Sequence, residues 1–182
     1  MSELAMRRVP AIATTDWLRP LPPATRFAFY GAADARALAA GVWDTGFAAE
    51  PLRAMHAGAR ASLWLGPDEY LLLAPAEEDP LDLARRLDAA IGIVPHALVD
   101  VSHRQTAFEV RGPVAEAILA GACPLDLDLA EFPLDMCTRT VFAKADIVLW
   151  RRDVQNFHIE VWRSFSDYVT GLLAVIAQDA TG

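Results

Sequence analysis

The sequence predicts an α+β fold of two lobes, each built on a split βαβ unit, and three observations carry that reading. Over the first half, strand-like and helix-like stretches follow one another as strand, helix, strand, strand, helix, strand. The segment from Tyr30 to Leu38 is echoed from Val110 to Ile118, each being a strand end, a glycine turn and an alanine-rich helix. The 182 residues are 54% hydrophobic and 22% charged, enough apolar material for a sizeable core and too much for a disordered chain.

Residues 1–24 contain Pro10, Pro20, Pro22 and Pro23 and show no periodicity, so they read as an extended arm outside the core. The first lobe is expected over 25–104 and the second over 105–182, packed as one unit. Arg26–Gly31 reads as a strand ended by a glycine, and 33–42 as a helix by propensity. From Trp43 to Arg60 no period is visible, which reads as loop. Ala61–Leu65 and Tyr70–Ala74 flank Gly66, Pro67, Asp68 and Glu69, a hairpin whose proline presets the turn. Asp79 followed by Pro80 is an N-cap and first helical position, with Ala84, Leu87 and Ile91 as the apolar stripe. Ala97–His103 closes the lobe as a strand.

In the second lobe Thr106–Arg111 is a strand. Gly112 and Pro113 then turn the chain into a helix with Val114, Ala117, Ile118 and Gly121 on one face. Thr138–Ala143, Ile147–Trp150 and Phe157–Trp162 read as a meander, turning at 144–146 and 153–156. The last helix starts at Ser164, with Asp167 three residues on as in a capping box, and buries Val169, Leu172, Leu173 and Ile176.

Composition excludes several roles. No uncharged apolar run approaches the ~18 residues of a membrane helix. A net charge of -8 argues against nucleic acid or an anionic membrane surface as main partner. The mean hydropathy of +0.23 is high for a small monomer and implies apolar surface covered by another chain. Cys123 and Cys137 are too few for a disulfide scaffold and read as free thiols of a reducing cytosol. Arg7 and Arg8 are followed by Pro10, Thr14, Thr15 and Asp16, which break any signal-peptide core, so a cytoplasmic protein is expected.

The residue types that carry chemistry do not converge. On a strand, Asp100 and Ser102 share one face and His103 points to the other, which opposes a hydrolase triad. Asp100 is expected instead to accept hydrogen bonds from backbone amides at the strand end. His158 and Glu160 share a strand face but lack further metal ligands nearby, and read as exposed positions of an alternating strand. Gly66 and Gly112 are lone turn glycines, not phosphate or dinucleotide loops. Asp126, Asp128 and Glu131 lack calcium-loop spacing and read as solvated loop residues. Trp17, Trp43, Trp64, Trp150 and Trp162 suit core or interface anchors. No catalytic, cofactor-binding or metal-binding residue is expected on this chain. Trp17 and Leu18, held between prolines, are candidate partner contacts, with packing on the chain's own sheet as the alternative.

Several of these segments resemble a known family. Residues 65–73, turning at Gly66, Pro67, Asp68 and Glu69, are similar to the LGPDE hairpin of the gamma subunits of heterotetrameric sarcosine oxidase. Asp100, Ser102, His103 and Arg104, leading through Gly112 to Leu119, resemble both those subunits and the folate-binding aminomethyltransferases. Gly121–Asp126, Cys137–Thr140, and Trp162, Arg163, Ser164 and Phe165 before the last helix also fit the gamma family, so the resemblance spans most of 61–178. It implies a degenerate aminomethyltransferase fold and a structural, non-catalytic subunit partnered by alpha, beta and delta chains. FAD, FMN, NAD, zinc and tetrahydrofolate would then sit on the partners. The assembly would demethylate sarcosine oxidatively to glycine, pass the one-carbon unit to tetrahydrofolate and reduce oxygen to peroxide. Two alternatives remain beside it: a free-standing folate-binding or aminomethyl-transferring protein, and a gamma-like subunit of an N-methylglutamate dehydrogenase.

Overall fold

A computed structural model describes residues 14–181. Residues 23–103 form one compact unit; 104–181 together with 14–22 form another. Each contains a five-stranded antiparallel sheet.

The chain enters through β1 (Leu18–Pro20), which belongs to the second unit. It then builds the first from β2 (Ala24–Gly31), α1 (Ala33–Ala39), β3 (Ala54–Ala57), β4 (Arg60–Gly66), β5 (Glu69–Pro75), α2 (Pro80–Ile91) and β6 (His96–Asp100). The strand order is β3-β4-β5-β2-β6, which without the edge strand β3 is the split-βαβ order. Both helices bury their stripes on one face, where Ala35, Ala39, Leu83, Leu87 and Ile91 meet Phe27, Phe29, Tyr70 and Leu72. On β5, Leu71 and Leu73 are buried as well, so the run from Tyr70 to Ala74 is apolar on both faces and shows no alternation. Gly31 permits the tight entry into α1: a Cβ there would lie 2.8 Å from the Phe29 ring and 2.9 Å from the Ala35 Cβ. Asp79 caps α2, accepting from the Leu81 amide at 3.0 Å.

Two details differ from the sequence reading. The α2 stripe is Leu83, Leu87 and Ile91, with Ala84 only partly buried. The stretch from Trp43 to Arg60 is not all loop: it contains β3, whose Met55, His56 and Ala57 are exposed and therefore leave no apolar period.

The second unit comprises β7 (Gln105–Arg111), α3 (Ala115–Ala120), β8 (Cys137–Phe142), β9 (Ala145–Asp153), β10 (Asn156–Trp162), a 3-10 turn (Arg163–Phe165) and α4 (Ser166–Thr181). Its order, β1-β7-β10-β9-β8, keeps the β8–β10 meander side by side, so the internal echo covers the β7–α3 entry and not the strand order. Ile118 and Leu119 of α3 and Val169, Leu173 and Ala177 of α4 pack on Phe108, Val110, Ile147, Leu149, Phe157 and Ile159. The buried face of α3 is Ala115, Ile118 and Leu119, whereas Ala117 and Gly121 are exposed. Ser164 does not cap α4: residues 163–165 make the 3-10 turn first, and Ser166, donating to the Arg163 carbonyl at 2.9 Å, begins the helix.

The arm also requires a correction. Residues 1–13 lie outside the described residues, but Leu18–Pro20 is a strand paired with β7, and Leu18 is 3% exposed within the second core. Leu18 is therefore part of the fold rather than a partner contact, and Trp17 packs partly buried against the same core. Leu18→Ala should lower stability by about 2–4 kcal/mol. A urea midpoint unchanged from wild type would show that β1 is dispensable.

Candidate functional site

At the end of β6 the polar residues engage one another. The Asp100 carboxylate accepts from the Ser102 amide at 2.8 Å and from the Ser102 hydroxyl at 2.5 Å. The Ser102 Oγ in turn accepts from the Arg26 amide at 2.9 Å, and the Val101 amide bonds the Arg26 carbonyl. Ser102 is buried and His103 is exposed, so aspartate, serine and histidine do not converge. The cluster ties the end of β6 to β2. Arg104 lies over the Trp162 ring at 4.8 Å, and its carbonyl accepts from the Arg163 amide, joining the start of the second unit to the end of β10. Ser164 is exposed.

The Gly66–Glu69 hairpin closes through Pro67 and Asp68, and the Asp68 carbonyl accepts from the Gly31 amide. Tyr30 donates to Glu69 at 2.7 Å. Beside it, Arg36 donates to the Tyr70 hydroxyl at 2.7 Å and lies 4.7 Å over Trp64. Burial pushes the Tyr70 phenol above its ordinary value, with the Arg36 hydrogen bond opposing it. Gly112, at φ 91°, adopts a conformation that favours glycine and bonds the Gln155 carbonyl in the neighbouring turn.

The densest polar array lies on the face of the second sheet turned away from α3 and α4. Register sets it out in rows. Arg19, Glu109, His158 and Trp150 lie side by side; Glu160, Val148 and Arg139 form the next row; Gln105 and Trp162 follow. His158 and Glu160 are not exposed, as the alternation implied, but 6% and 1% exposed, and they hydrogen-bond at 2.9 Å. Residues 157–161 of β10 are all buried, so both faces of this strand are covered there, and alternation marks two chemistries rather than inside and outside. Because a carboxylate only accepts, Nε2 of His158 carries the proton toward Glu160. Glu109 accepts from Asn156 and lies 3.9 Å from both Arg19 and Arg152. Where the face opens, a groove of about 270 Å³ is lined by Gln105, Glu160, Trp162, Asp146 and Arg139 among others.

Chemically this face holds a buried acid–base pair with no nucleophile in its row except Cys137, which the Trp150 strand position separates from His158. Among the described residues, no three His, Cys, Asp or Glu are grouped to hold a metal ion. Cys123 and Cys137 are buried thiols. Asp126 and Asp128 accept from backbone amides two residues on, shaping a loop. Of the tryptophans, Trp43 and Trp150 are buried, and Trp162 is 42% exposed.

One residue that sequence reasoning missed organises the second core. Arg151 is 0% exposed, lies 4.5 Å over the Phe157 ring, donates to the Leu127 and Val154 carbonyls, and approaches Glu116 at 3.4 Å. Its only sequence signal is its register: it occupies the core-facing phase of Ile147 and Leu149.

Comparison with known proteins places this architecture. A family model described as the sarcosine oxidase, gamma subunit family matches residues 30–181. The sarcosine oxidase subunit gamma of Corynebacterium sp. (strain P-1) is 36% identical over 108 residues, which are 59% of this chain and 52% of that one. That of Corynebacterium sp. (strain U-96) is 34% identical over 158 residues, 87% of this chain and 72% of the relative. The match thus spans about half of the first relative's length. Among solved structures, heterotetrameric sarcosine oxidase from Corynebacterium sp. U-96 in complex with pyrrole 2-carboxylate superposes with a TM-score of 0.82 at 28% identity, over 91% of this chain and 85% of that chain. Glycine cleavage system aminomethyltransferase T from Bartonella henselae gives a TM-score of 0.62 at 14% identity, over 86% of this chain and 44% of that one, a likeness of fold.

Proposed function

The chain belongs to the sarcosine oxidase gamma-subunit family, and on that premise we propose that it is the accessory, non-catalytic subunit of a sarcosine-oxidising heterotetramer. The assembly would contain alpha, beta and delta partners and act in the cytoplasm. It would convert sarcosine to glycine, deliver the methyl carbon to tetrahydrofolate and pass the electrons to oxygen, giving hydrogen peroxide. FAD, FMN, NAD, zinc and tetrahydrofolate would be held by the partners. No helix among the described residues is long and apolar enough to cross a membrane.

The observation that supports a non-catalytic role is the internal engagement of the groups that could do chemistry. The Asp100 carboxylate is taken up by the Ser102 amide and hydroxyl, and the Glu160 carboxylate by His158. The described residues do not fit a zinc site, because no ligand cluster is present among them. The test is direct. The purified chain should show no flavin absorbance and no turnover of sarcosine, and turnover should appear on co-expression with the other three chains. Flavin bands near one equivalent, or turnover by the chain alone, would overturn the proposal.

A further inference from the structure

His96 opens β6, which among the described residues is an edge strand paired only with β2. Its ring bridges the connection from α2. Nδ1 lies 2.8 Å from the Val94 carbonyl and Nε2 lies 3.0 Å from the Asp88 carboxylate, in the last turn of α2. Neither a carbonyl nor a carboxylate can donate a hydrogen, so both contacts are hydrogen bonds only when both ring nitrogens carry protons. In the neutral ring, one nitrogen lone pair faces an oxygen lone pair, and one of the two bonds is lost. Four residues, 92–95, span the gap that the ring bridges. They start at Gly92 with φ 65° and include the fully exposed Ile93; Val94 packs partly buried against the first core, so the ring secures the ends of the connection around that one apolar anchor.

We propose that His96 is a protonation-dependent latch that closes the α2–β6 connection in mildly acid solution and releases it as the pH rises. The charged group facing it is Asp88 of α2; on β2 its register partner is the uncharged Gly31, and on β6 the next ionisable side chain is Asp100, four residues on. The His96 pKa is raised above its ordinary value, first by the Val94 carbonyl and then by Asp88. Since the folded pKa lies above the unfolded one, the latch contributes its full stability below the ordinary histidine value of about 6.5 and loses it as the pH climbs through the folded pKa. The released element would be the connection and the adjoining end of an edge strand, an opening of local rather than global kind.

The test follows the His96 ring by NMR and the amides of 92–97 by hydrogen exchange, corrected for intrinsic pH dependence, across about pH 5 to 9 on the full chain. The ring should titrate above about 6.5, and amide protection should fall through the same midpoint. Asp88→Asn should move both midpoints down together. A ring titrating at or below its ordinary value, or protection that ignores the midpoint, would overturn the latch. The wild-type titration decides the matter by itself if the variant does not fold.

Discussion

Arg151→Met is expected to destabilise the protein by about 3–5 kcal/mol, a large part of the stability of an ordinary domain. The guanidinium is fully buried yet feeds two carbonyls, those of Leu127 and Val154, which belong to the connection after α3 and to the β9–β10 turn. Without it the buried Leu127 carbonyl loses its donor, at a cost of about 1–3 kcal/mol, and the part-buried turn carbonyl of Val154 loses one as well. Methionine fills much of the volume, so the loss reports hydrogen bonding more than a cavity. Arg151→Lys should be nearly as damaging, because a single ammonium cannot reproduce the planar fork that reaches both carbonyls while lying on the Phe157 ring. Urea denaturation checks this; an Arg151→Met unfolding free energy within about 1 kcal/mol of wild type would mean the connection is held otherwise.

Glu160→Leu should cost about 2–3 kcal/mol, since it removes the acceptor of a buried histidine. Glu160→Gln keeps an amide oxygen in reach of His158 and should lose much less. Thermal melts of both variants distinguish the two cases. Equal losses would show that the carboxylate's charge, and not its hydrogen bond, matters on this face.

How far the sequence reveals all this depends on whether a signal is local. The Gly66–Glu69 hairpin, the Asp79 cap and the Asp100–Ser102 strand end are legible because each is determined by residues within a few positions. β1 is not legible: three residues next to prolines have no period, and only pairing with β7 makes them a strand. β3 is hidden for the same reason, its exposed side chains leaving nothing to alternate. The burial of His158 and Glu160 cannot be read from β10, because polar residues at every second position look alike whether water or protein covers them. Arg151 conceals itself by its residue type, since arginine is read as surface unless its phase in the strand is weighed more heavily than its charge.

The assembly itself is measured by native mass spectrometry of the complex purified after co-expressing this chain with alpha, beta and delta subunits, with the affinity tag on the alpha chain. The gamma-subunit reading predicts a heterotetramer carrying one copy of each chain, with sarcosine turnover confined to that species. Recovery of an active complex of the other three chains, with this chain left unbound in the flow-through, would contradict it.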